Sequence, residues 1–184
     1  MTEERREALV EDIIERELRM FLAVKTRGGK SLCQERPESF RIMREMTHGV
    51  LSEAVLESYL GDLVRAEEAG RNFMTEKYAL MDDLIPAINT DPRIRVIVEA
   101  EADWRDEVSA QFPRTVQRDG RESFCLYLRC ELQTYSPATL TAYAALVDAA
   151  RNEGRNLVRE RYEILMRKLG YGSLEACEAQ LAAH

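Results

Sequence analysis

Much of this chain is written twice. Displacing the sequence against itself by 84 positions (122 minus 38) sets Glu38, Ser39 and Phe40 on Glu122, Ser123 and Phe124. The register continues through Ser52, Ala54, Leu56, Tyr59 and Ala66, which meet Ser136, Ala138, Leu140, Tyr143 and Ala150, and the pattern GRNxxxExY recurs at 70–78 and 154–162. Thirteen identities fall within the 41 positions 38–78, where composition alone would produce about three. Ile13, Glu15, Glu17 and Val24 also pair with Ile97, Glu99, Glu101 and Val108, so the doubling reaches the opening segment of each half. Two copies of one unit normally bury their apolar faces against each other about a pseudo-two-fold axis.

The unit reads as helical throughout. Val10, Ile13, Ile14, Leu18, Phe21 and Val24 recur at helical spacing and predict a helix over about 3–25, followed by a loop in which Gly28 to Lys30 reads as an ordinary turn. A short helix is predicted over about 38–48, then a long one capped by Ser52 that runs to about 84. The second half repeats the plan with helices at about 92–111 and 122–133. A further long helix then starts at Ser136 and Pro137 and runs to 169. No run alternates with period two long enough to make a strand. The expectation is an all-α single domain, 1–184: a bundle of two pseudo-symmetric three-helix repeats, 1–88 and 89–172, with a short C-terminal helix capped by Ser173.

Composition narrows the function classes. The net charge of -7 is spread in mixed signs without a basic stripe, so nucleic acid is not an expected partner. No apolar run approaches a membrane span, and the opening MTEERREALVED lacks a signal-peptide core; a cytoplasmic protein is expected. Cys33, Cys125, Cys130 and Cys177 form no CxxC pair and no zinc spacing with His48 or His184, and read as reduced, partly buried thiols.

Gly70 and Gly154 fall within the apolar stripes of the two long helices, where glycine costs on the order of 1 kcal/mol relative to alanine. Close approach of two backbones is the expected reason, and a helix break is the alternative.

Several charges lie on faces that should be buried. Glu17 sits at the centre of the stripe formed by Val10, Ile13, Ile14, Met20, Phe21 and Val24, and Glu101 occupies the same place in the second half. Glu131 does likewise among Phe124, Tyr127, Leu128 and Tyr135, while Lys77 and Arg161 share the angular position of Tyr59 and Tyr143. A buried carboxylate must be protonated, ion-paired or bound to a cation. Three readings follow. One is a structural salt-bridge network joining Glu17 and Glu101 to Lys77 and Arg161, compatible with a helical protein-interaction module. Another is a polar centre that binds a small polar molecule or transfers protons, with Glu17, Glu101 and Glu131 as catalytic groups and Lys77, Arg161, Tyr59 and Tyr143 as ligand contacts. The third is a carboxylate-bridged metal site, which lacks the Glu-x-x-His pairs of the ferritin-like plan and has cations where ligands should be. No metal ligand is assigned, and no cofactor is identified. Asn72 with Glu76, and Asn156 with Glu160, lie at the edge of the stripe as further ligand candidates; their bland role is a solvated or interhelical bonding edge.

ELRMF at 17–21, CQ at 33–34, FRIMR at 40–44, the run 58–81 around GRNFMTEKYA and the run 123–140 around YLRCELQTYS together resemble a bacterial family known only as domain of unknown function four-one-two-five. The likeness covers most of the chain. Cys125 and Cys130 stand where that family is expected to have Glu and Gly. The resemblance implies the helical fold and names no activity.

Overall fold

Side chains that accept from free backbone N–H groups open most of the helices, three of them serines and two asparagines. In the computed structural model, which describes residues 2–25 and 34–183, Thr2 caps α1 (Glu3–Leu22) and Pro37 starts α2 (Pro37–His48). Ser52 caps α3 (Glu53–Glu68), and Asn72 caps α4 (Phe73–Met81). Asp91 caps α5 (Pro92–Gln111), and a 3-10 turn at Arg118–Gly120 leads into α6 (Arg121–Leu132). Ser136 caps α7 (Pro137–Asn152), Asn156 caps α8 (Leu157–Lys168), and Ser173 caps α9 (Leu174–Ala182). The described residues contain no strand, so the molecule is an all-α bundle. The turn expected at Gly28 to Lys30, and Cys33, lie outside the described residues.

The expected long helices are each broken, so among the described residues each half holds four α-helices rather than three, before the C-terminal α9. Gly70 and Gly154 adopt φ of 69° and 67°, a left-handed conformation that glycine enters without a Cβ penalty. Arg71 N–H donates to the Ala66 carbonyl and Gly70 N–H to that of Glu67, and the same pair of bonds forms from Arg155 and Gly154 to Ala150 and Arg151. This satisfies carbonyls that the end of α3 or α7 would otherwise strand. The close backbone approach expected at these glycines does not occur: a Cβ at either position would meet nothing within 4 Å.

Packing interleaves the halves. Within each half the opening helix, α1 or α5, packs against the three that follow it, while α3 crosses α7 at the centre, α2 lies on α8 and α4 lies on α6. The second helix of each half is thus shared with the last long segment of the other. Gly49 is tight for this reason, since a Cβ there would lie 2.7 Å from Ile164 Cδ1. Ile13, Leu56, Tyr59, Leu63, Ile97, Leu140 and Val147 fill the middle and are essentially closed to solvent. Among the described residues no helix is long and apolar enough to cross a membrane.

Candidate functional site

Helical spacing turns Glu17 of α1 into the core, where it is fully buried and must find partners for both oxygens. Arg44 of α2 donates to them with Nε and Nη2 at 2.8 and 2.5 Å, Tyr59 donates its hydroxyl at 2.8 Å, and His48 Nε2 lies 2.9 Å away. Arg44 also reaches Glu131 of α6 at 2.7 and 3.1 Å, so one guanidinium bridges two carboxylates from different halves. Lys77 completes the cluster: its ammonium lies 3.5 Å from Glu131, donates to the Tyr127 hydroxyl at 2.9 Å and sits over the rings of Tyr127 and Tyr78. Two carboxylates and two cations therefore balance in one buried cluster.

The second half holds a smaller version. Arg161 grips Glu101 at 2.5 and 3.0 Å, and Tyr143 donates to Glu101 at 2.5 Å while accepting from Arg161 at 2.7 Å. The pairing of Glu101 with Arg161 is the one the sequence suggested. The pairing of Glu17 with Lys77 does not form, because Arg44 lies closer and Lys77 turns to Glu131. Between the clusters Tyr135 bridges two tyrosines, with ring centroids 4.6 Å from Tyr59 and 6.4 Å from Tyr143.

Electrostatics lock these charges. Burial alone would raise the Glu17 carboxyl, but Arg44 and His48 outweigh it and hold the group well below the usual carboxylate range. Burial likewise opposes ionisation of Glu131, and Arg44 with Lys77 brings it down to about 2. Burial and the neighbouring carboxylates push the Tyr59 and Tyr135 phenols well up. Arg44 stays charged, its own burial offset by Glu131 and Glu17.

Arg44 and His48 were not among the sequence candidates, although a signal existed. Displacement by 84 positions sets them on Leu128 and Leu132, apolar residues of the other copy, which marks their face as inward. The asparagine and glutamate candidates lie apart from the clusters. Asn72 Nδ2 donates to the Met20 carbonyl at 2.8 Å and Asn156 Nδ2 to that of Trp104 at 3.0 Å, while Glu76 and Glu160 each receive two bonds of 2.9 Å from Arg71 and Arg155. The asparagine bonds tie each broken helix to the opening helix of its half, while the glutamate bonds stay within the break. Tyr127, expected in the core, keeps 37% of its surface exposed while its hydroxyl turns inward.

An open site lies above Tyr135. A cleft of about 430 Å3 is lined by Asp62 and Arg65 of α3, Arg71 and Phe73 at the helix break, the connector at Ile88 and Asn89, and residues 133–137. Asp62 is spent: one oxygen takes Arg65 at 2.5 Å, and the other accepts from Ser136 N–H and the Thr139 hydroxyl at 2.9 and 2.6 Å. Gln133 accepts from Ile88 N–H with its amide oxygen, leaving its NH2 group. Arg71 commits Nε and Nη2 to Glu76, leaving Nη1. What remains uncommitted at the rim is donor capacity from Arg65, Arg71 and Gln133. The site is one-sided, because Asp62 and Arg65 are matched 84 positions later by Leu146 and Ala149.

The model of the family described as protein of unknown function DUF4125 matches residues 7–179. The chain belongs to the DUF4125 family. No curated protein and no solved structure matches this DUF4125 chain. Among its described residues no group of three or more His, Cys, Asp or Glu side chains is placed to hold a metal ion.

Proposed function

We propose that this DUF4125 protein binds a small, acceptor-rich polar molecule in the cleft between its halves, above Tyr135. One observation carries the reading: the side-chain carboxylate and amide oxygens of Asp62, Asn89 and Gln133 in the cleft are engaged by internal bonds, while Arg65, Arg71 and Gln133 keep donors to offer. Phe73 and Tyr135 supply an apolar wall beneath them. Glu131 acts from below, holding the Tyr135 hydroxyl at 3.4 Å. Glu17 and Glu101 support the floor through Tyr59 and Tyr143. Sealed and held ionised, Glu17 and Glu131 suit positioning better than proton transfer, which favours a binding protein over an enzyme. A cytoplasmic setting agrees with the free thiols of Cys125, Cys130 and Cys177.

The test is a thermal-shift and NMR screen of small carboxylates, amino acids and nucleosides against wild type and Gln133→Trp, whose indole would fill the cleft. Binding that moves resonances of 62–73 and 133–137 in wild type alone supports the reading, and binding unaffected by the tryptophan refutes it. A protein-interaction module is the second reading, favoured by the exposed apolar Ile88 at the cleft and the exposed Leu84 four residues before it. A stoichiometric protein partner on affinity purification, with no small molecule bound, would select it.

A further inference from the structure

The two helix breaks are one local structure built twice, and they differ where the cleft is. In each, the arginine that follows the left-handed glycine is gripped side-on by a glutamate: Arg71 gives Nε and Nη2 to Glu76, and Arg155 gives Nε and Nη2 to Glu160, every bond 2.9 Å long. In the second break the far side of the guanidinium is taken as well, since Arg155 Nη1 donates to Glu153 at 3.2 Å. Displacement by 84 positions sets Glu153 on Ala69, and among the described residues nothing accepts from Arg71 Nη1. A guanidinium carries five N–H donors in one plane. Two are spent on Glu76, so three remain on the Nη1 side of a side chain that is 48% exposed.

Three further differences lie beside this open fork. Arg65, Gly61 and Phe73 stand where the second half has Ala149, Ala145 and Leu157. Arg65 brings a second guanidinium to the cleft. Glycine inside a helix is less stable than the alanine of the other copy, but a Cβ at Gly61 would lie 3.2 Å from Arg65 Nη1. Gly61 therefore gives the Arg65 side chain room to lie back along α3, where Asp62 accepts from Nη2 at 2.5 Å. Phe73 lies under Arg71, with Cζ 5.2 Å from the ring centroid, a contact that orients the guanidinium and that leucine could not make. Asp62 and Glu76 each balance one of these cations, Glu76 from the opposite edge of the Arg71 plane. The rim thus offers paired N–H donors without a large excess of positive charge, which suits a planar, singly charged carboxylate better than a doubly charged phosphate.

We infer that the first helix break recognises a carboxylate on the molecule bound in the cleft, with the open fork of Arg71 as its main contact and Arg65 as the second. This rests on the cleft reading above and names the class of its ligand.

The test titrates benzoate, and its neutral isostere benzamide, into the intact protein at constant ionic strength while the amide resonances of 62–73 and 133–137 are followed. Benzoate should give saturable shifts there and bind about tenfold or more tighter than benzamide. Ala69→Glu copies Glu153, and the two positions share one backbone conformation, φ -85° and ψ 0° against φ -86° and ψ -3°. That variant should stay folded, close the fork of Arg71 and abolish the preference for benzoate. Ala54→Glu adds the same charge near the start of α3, at an exposed position, and should leave the preference intact. Arg65→Ala, which copies Ala149, should reduce it in part. Equal binding of the two compounds overturns the carboxylate assignment while the cleft stands, and a benzoate preference that survives Ala69→Glu, or no shifts from either compound, overturns it too. Binding of both compounds that Gln133→Trp leaves unchanged removes the cleft itself.

Discussion

Arg44 has the most consequential environment in the molecule, since one side chain neutralises two buried carboxylates from different halves. Arg44→Met should cost about 3–5 kcal/mol in urea denaturation, because Glu17 and Glu131 would then share only Lys77 and His48. The inward positions of Glu17, Glu101, Glu131, Lys77 and Arg161 were legible from helical spacing, which fixes the face a residue shows. Arg44 and His48 were not, because α2 is short and carries apolar side chains on more than one side. Met43 is 47% exposed while Arg44 beside it is buried, the reverse of what hydrophobicity suggests. The cleft was invisible for another reason: Gln133 lies far from Asp62 and Arg65 in the chain, and only the crossing of α3 over α7 brings them together.

Among the elements, the breaks after α3 and α7 explain two glycines and two asparagines together. Gly70→Ala and Gly154→Ala should each cost about 1–2 kcal/mol by forcing a Cβ into the left-handed region, with no added clash because the space is open. Asn72→Ala should cost about 1 kcal/mol or more, as the cap of α4 and the bond to Met20 are lost together. Thermal unfolding of the three variants checks both figures. Helix starts at Ser52, Ser136 and Ser173 were readable because a cap is local chemistry. The breaks stood only as the alternative reading of Gly70 and Gly154, because each new helix keeps its apolar face on the same side, so the stripe runs on across the gap. The run Gly-Arg-Asn, a helix stop followed by a helix start, was the signal present in the sequence.

For the molecule as a whole, acid should be the weak point. Glu17 and Glu131 titrate lower in the folded chain than the ordinary value of 4.5, so the stability they contribute is complete above that pH and is lost as pH falls toward 2 and below. Urea midpoints measured from pH 7 to pH 2 should fall in that interval, and Glu131→Gln should flatten the decline while lowering the plateau. The interleaving of α2 with α8 and of α6 with α4 has a different kind of consequence. Opening the chain in the connector near Pro86, and producing 1–88 and 89–184 as separate polypeptides, should give two pieces that are each incomplete. Mixed in equal amounts, they should regain the helical circular dichroism of the intact protein, as two hands close only on each other.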